Sequence, residues 1–175
     1  MCDKNKECEN ILKNFKSCLN EMCLPVLDPE VNNGFGKVET KFGILDVSVY
    51  VEIAYNSQNK IAKIKIDSSL SVDHMDTFIF LQVLNILNGQ MMDIGHICLD
   101  PYCEDVFLQT SIDFSNQSFD RLMTLFILKR FLSQGHLFFR ILREISQMQK
   151  CPFKVLDDNF KRLKDINGSG DETIH

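Results

Sequence analysis

The sequence has no apolar run long enough to cross a bilayer. Its longest uninterrupted stretches, such as Leu125 to Leu128, fall far below the roughly 20 residues a spanning helix needs. No secretory leader is expected either, since Asp3, Lys4, Lys6, Glu7 and Glu9 break up any apolar core in the first ten residues. These two features lead us to expect a cytoplasmic protein with no membrane partner. Local catalytic signatures are missing as well. No Gly-x4-Gly-Lys follows a strand pattern, no Gly-x-Ser-x-Gly elbow occurs, and Gly34-Phe35-Gly36 is too short for a phosphate loop. His74, His96, His136 and His175 form no His-x3-His or Glu-x2-His pair.

Basic residues are absent from a long internal stretch. After Lys65 the next is Arg121, and between them lie Asp67, Asp73, Asp76, Asp93, Asp100, Glu104, Asp105, Asp113 and Asp120. The whole chain carries 19 Lys and Arg against 24 Asp and Glu, a net charge of −5. Such a chain is repelled by a phosphate backbone, and Lys150, Lys154, Lys161, Arg162 and Lys164 alternate with acids instead of forming a stripe, so no nucleic-acid partner is expected. The acidic stretch reads as a solvated surface or, more sharply, as one that steers a basic partner.

What is present is the material of one globular domain. The chain has 175 residues, 45% hydrophobic and 25% charged. Residues 5–23 place Cys8, Ile11, Leu12, Phe15, Cys18, Leu19 and Met22 on one helical face, ended by Pro25 and Pro29. A first strand is expected near Lys37–Ile44. From Asp46 a strict alternation sets Val47, Val49, Val51, Ile53 and Tyr55 against Ser48, Tyr50, Glu52 and Ala54. Asn56–Asn59 turns the chain into a third strand, Lys60–Asp67. Ser71 or Asp73 can cap a second helix with a core face of Met75, Phe78, Ile79, Leu81, Val83, Ile86 and Leu87, stopped at Asn88-Gly89. A strand hairpin follows, Met91–Leu99 and Glu104–Phe114. Ser118 opens a long apolar helical stretch to Gln149, which Gly135 can split, with Phe119, Leu122, Met123, Phe126, Phe131, Phe138, Leu142 and Ile145 facing the core. Beyond Pro152 a short amphipathic segment holds Val155, Leu156, Phe160, Leu163 and Ile166.

The expected fold is α+β: an antiparallel sheet of about five strands with helices on one face, in the order α-βββ-α-ββ-α(α). Residues 1–150 make the domain and 151–175 a tail with a short helix. One sheet face packs under the helices. The other presents Tyr50, Ala54, Ile61, Ile94, Cys98 and Phe107 among polar neighbours. Tyr50, Ile61, Ile94 and Phe107 are the candidate partner-binding residues, with Tyr50 and Phe107 as anchors, unless the segment Val155–Ile166 covers them.

Seven cysteines show no disulfide spacing. Cys18-x4-Cys23 and Cys98-x4-Cys103 supply four thiolates in principle, the basis of an alternative reading as a cysteine-based zinc or redox regulatory module. The spacing is wider than that of a zinc knuckle and Cys18 sits on an apolar helix face, so the expectation is no metal and no cofactor.

Leu84-Asn85-Ile86-Leu87-Asn88, Gly95-His96-Ile97-Cys98-Leu99-Asp100, Val106-Phe107-Leu108 and the aromatic, Leu-rich stretch Phe119–Ile145 resemble the YbjN family and, more broadly, the type III secretion chaperone-like fold. The resemblance runs from about Gly36 to Ile145, and the N-terminal helix fits it. It implies a non-enzymatic, bacterial, protein-binding module: a sensory-transduction regulator, or a small acidic chaperone that holds an extended segment of cargo. It also implies a homodimer, as do sheet edges that need covering.

Overall fold

A computed structural model describes residues 2–44, 47–68, 76–100, 105–148 and 151–168. Of the residues singled out above, Asp46, Ser71, Asp73, His74, Met75, Cys103, Glu104, Gln149, Lys150 and His175, and the side chains of Ile44, Val47, Leu163, Lys164 and Ile166, lie outside the described set.

Helix α1, Cys2–Glu21, buries Cys8, Leu12, Phe15, Cys18 and Leu19 completely, the stripe expected from their spacing. It ends at Cys23, not at a proline. Cys23 takes a left-handed backbone with φ 59°, Leu24 N–H donates to Leu19 C=O at 3.1 Å, and Cys23 N–H donates to Asn20 C=O at 2.9 Å. This is a Schellman ending, which satisfies carbonyls the helix would otherwise leave bare.

The sheet has six strands, not five. The additional strand is β1, Glu30–Asn32, in a stretch that reads as loop. Asn33 and Gly34, with φ 51° and 77°, supply the twisted hairpin turn that joins it to β2, Phe35–Ile44. A three-residue strand is too short for alternation to reveal. Gly36 has its own reason: a side chain there would meet Leu12 of α1 at 2.7 Å and the Glu30 carbonyl at 2.6 Å. The Gly-Phe-Gly run is therefore a turn followed by a helix crossing.

Strands β3, Val47–Asn56, and β4, Ile61–Ser68, follow as expected. Helix α2 spans Thr77–Gln90; Asp76 caps it, its carboxylate accepting from Ile79 N–H at 3.0 Å. The edge strand β5 is only His96–Leu99, because residues 91–95 bend instead of extending. Strand β6, Val106–Asp113, inserts between β5 and β4, giving the order β1-β2-β3-β4-β6-β5 with every pairing antiparallel. Helix α3, Arg121–Met148, runs 28 residues without a break at Gly135, where the missing side chain leaves room for Ile66. Helix α4, Pro152–Gly168, is no loose tail: it stands against α3 and α2, with Val155 and Leu156 in the core.

One core unites these elements. Val38, Val49, Val51, Ile53, Tyr55, Ala62, Ile64, Ile66, Leu108 and Ile112 line the inner sheet face and are buried. The helices cover that face. Two helix faces differ from expectation. In α2 the buried residues are Phe80, Val83, Leu84 and Leu87, while Phe78, Ile79 and Leu81 are exposed. In α3 Leu125, Leu128, Phe131, Phe138, Phe139, Ile141, Leu142 and Ile145 are buried, while Leu122, Met123 and Phe126 are exposed. Where a helix is apolar nearly all round, apolar spacing alone does not fix the inward face.

Candidate functional site

The outer face of the sheet carries the chemistry not used for packing. Strand register places its side chains in rows that cross the strands. One row reads Lys41, Tyr50, Asp67, Phe107, Cys98 from β2 to β5. The next reads Glu39, Glu52, Lys65, Gln109, His96. Both aromatics lie under lysines: Lys41 Nζ sits 4.8 Å from the centroid of Tyr50, and Lys65 Nζ 4.3 Å from that of Phe107. The aromatic face attracts the ammonium, and the lysine stem covers part of the ring.

Charge on this face is interlocked. Lys65 pairs with Asp67 at 2.9 Å, and Lys37 reaches Glu39 at 2.7 Å and Glu52 at 3.8 Å. Partial burial pulls the Lys65 ammonium down, but the hydrogen bond and charge of Asp67 outweigh it and hold Lys65 above its ordinary value. A concavity of about 620 Å³ opens in front of β2, β3 and β4, walled at the sheet edge by Pro25 and Leu27 and floored by Tyr50, Lys41, Lys65 and Asp67. Leu27 is 74% exposed and Tyr50 46%, so an apolar group entering here has two apolar walls.

The four expected binding residues do not form one cluster. Tyr50 and Phe107 share a row, separated by Asp67 of β4. Ile61 lies on the same strand as Asp67 but six residues away, about 20 Å at strand rise, in register with Asn56 and Asp113. Ile94 sits in the bend before β5 and packs against the core, because that segment is not a strand. The segment Val155–Ile166, expected as an alternative cover, belongs to α4 among the helices.

The cysteine candidates are equally dispersed. Cys18 is fully buried on α1, which packs on β1 to β3, and its thiol is pushed up by burial. Cys23 closes α1 with its backbone. Cys98 lies on the opposite face of the sheet at the far edge, half-buried beside Phe107, its thiol also raised by burial despite the opposing charge of Lys65. Cys18 and Cys98 thus have the sheet between them. Among the described residues no three His, Cys, Asp or Glu side chains group closely enough to hold a metal ion.

The acidic stretch is largely spent on local structure. Asp76 caps α2, and Asp120 accepts from Met123 N–H at the start of α3. Asp93 takes both Arg130 and Gln134 of α3, and Asp113 is held below the usual carboxylate range by Ser115, which bonds to it through hydroxyl and backbone N–H. Asn88, read as a helix stop, instead seals the outer edge of β5. Its carboxamide accepts from Ile97 N–H at 2.7 Å and donates to Ile97 C=O at 3.1 Å, as a neighbouring strand would.

Compared with known proteins, the chain matches no family model, no curated protein and no solved structure. Among the described residues, no helix is long and apolar enough to cross a membrane.

Proposed function

We propose that the chain is a non-enzymatic protein-binding module that takes a segment of a partner protein against the outer face of its sheet, as a bacterial regulator or chaperone of the YbjN or type III secretion chaperone-like type would. The observation that carries this reading is the sheet face that no helix covers among the described residues, with Tyr50 and Phe107 in one row beside the concavity walled by Leu27. A covered inner face already uses the apolar residues the fold needs. Aromatics retained on the outside are the residue type that dominates interface energies, and the lysines over them provide a polar rim. Ion pairs along β2 and β4, and one from Lys37 across to Glu52, favour a partner that brings its own polar groups in register, since an apolar surface laid over them would strip charges of water without replacement.

The test is affinity capture with the whole chain, followed by hydroxyl-radical footprinting of the captured complex. The expected result is lost labelling at Tyr50, Leu27 and Phe107 relative to the free chain. Unchanged labelling at all three in a stable complex would contradict the proposal.

A further inference from the structure

Helices α2 and α3 both expose apolar ridges, Phe78, Ile79 and Leu81 on one, Leu122, Met123 and Phe126 on the other. The α3 ridge runs on, at steps of three and four, into the exposed polar stripe Lys129, Ser133 and His136. Beside that stripe lies a groove of about 540 Å³, on the helix side of the sheet and away from the concavity at Tyr50. Its floor is Met22, Leu24, Phe42 and Leu132, each only partly buried. The left-handed turn at Cys23 that ends α1 sets Met22 and Leu24 along one wall. Phe42 extends the inner row of β2, where Val38 and Thr40 are buried. The groove thus begins where α1 stops covering that row.

The polar lip has one sign. Residues 121–143, the greater part of α3, contain no Asp or Glu, and no carboxylate lines the groove. Glu21, next to Met22 in the chain, is taken by Arg121, and Arg130 is taken by Asp93. Lys129 makes no ion pair among the described residues, and an anion at the lip meets no competing acid there. Ser133 stands four residues after Lys129 and three before His136, so an ammonium, a hydroxyl and an imidazole N–H can turn toward one small acceptor. The lip holds no free guanidinium fork and no helix N-terminus, the devices that suit a phosphoryl group. The floor offers only hydrocarbon and a thioether. It suits a flexible hydrocarbon tail better than a peptide, whose every residue brings an N–H and a C=O that need partners. A concave floor is also out of reach of a flat bilayer surface, while a single extracted chain can lie in it.

We propose that the groove between the end of α1, β2 and α3 binds a single-chain amphiphile with a carboxylate head, a fatty acid. The tail lies on Met22, Leu24, Phe42 and Leu132, and the carboxylate sits at Ser133 between Lys129 and His136. The outer sheet face plays no part in this site, and the two proposals stand or fall separately.

Calorimetric titration of the full chain with laurate, kept below its micelle concentration, tests it. Laurate is expected to bind at one equivalent, and decanoate about fourfold more weakly, as a half-covered tail loses two methylenes. Lys129→Ala should weaken laurate binding by about tenfold, and Lys129→Arg should restore it to within about twofold. Ser133→Glu, which puts a carboxylate on the lip, should abolish it. Lys129 and Ser133 are exposed, so these variants should melt as the wild type does. In the methionine-methyl NMR spectrum laurate should move the Met22 resonance and leave Met91 and Met92, which lie outside the groove, in place. Absence of binding at every monomeric laurate concentration overturns the proposal. So does unchanged affinity in Lys129→Ala, equal binding of dodecyltrimethylammonium, or movement of Met91 and Met92 without Met22. Dodecyl phosphate bound more than about tenfold tighter than laurate would assign the lip to a phosphoryl head instead. Co-sedimentation of the chain with phosphatidylglycerol–phosphatidylcholine vesicles, lost in Lys129→Ala, would assign it to a membrane surface. Either result overturns the proposal as well.

Discussion

Tyr50 and Tyr55 stand on one strand, five residues apart, and point to opposite sides of the sheet. Tyr55 is fully buried, its hydroxyl donating to Glu7 of α1 at 3.1 Å, and burial with that hydrogen bond holds its phenol well above the usual range. Tyr50 is 46% exposed with Lys41 over its ring. One aromatic ties a helix to the sheet; the other meets Lys41 of the neighbouring strand and, among the described residues, holds no helix in place. The comparison extends to whole faces. Inside, the β3 and β4 positions are Val, Ile, Tyr and Ala, packed under helices. Outside, the same strands alternate charge with Tyr50 and Ile61, and β6 adds Phe107. Stability resides in the inner face, and the recognition we propose would reside in the outer.

The strongest way to break that division is to weaken the inner face. Ile53→Ala removes a fully buried side chain at the centre of β3 and should cost about 2–5 kcal/mol in urea unfolding. A loss comparable to that of an exposed residue would mean that the inner face is not the core. The edge comes next. Asn88→Ala leaves the outward N–H and C=O of Ile97 without their partner and should cost about 1–3 kcal/mol, read in the same way, with faster amide exchange at Ile97. A neutral result would show water serving that edge as well as the carboxamide does.

Alkaline pH gives a smaller lever on the same interior. Burial and the neighbouring Glu7 charge push the Cys8 thiol from its ordinary 9.0 up to about 11, and it donates to Tyr55 C=O. The folded chain therefore holds the thiol proton to a higher pH than the unfolded chain does. The unfolded state binds fewer protons in that window, so stability is intact below about pH 9 and falls as pH rises toward 11. Tyr55, raised in the same direction, adds to the fall. Thermal melts from pH 8 to 11 should show it, with a shallower slope in Cys8→Ala. A flat profile would place Cys8 in water.

Much of the division was legible in the residues. Strict alternation through β3, β4 and β6 fixes which side chains share a face, because the strand period is two and one face is buried. The α1 stripe was legible for the same reason at period 3.6. The helix ridges were not, since α2 and the first half of α3 are apolar on several sides. The polar residues held the signal: Lys129 and Ser133 lie on the stripe of Leu122 and Phe126, and Gln82 and Asn85 lie beside Phe78 and Leu81, which marks those sides as outward. Strand β1 was hidden by its length, and the role of Asn88 by its reach across nine residues to Ile97. Ile94 was misplaced because a hydrophobic run before a strand does not say where the bend ends. The Tyr50–Phe107 row required strand order, in particular β6 beside β4, which alternation does not specify.

The most direct measurement of the central claim takes the Tyr50→Ser/Phe107→Ser chain and reads partner capture and thermal unfolding on one preparation. The division of faces predicts that capture is lost while stability changes by less than about 1 kcal/mol, because the rings contribute little beyond their contacts with Lys41 and Lys65. Retained capture with a large fall in stability would contradict it, and would make the outer face part of the core.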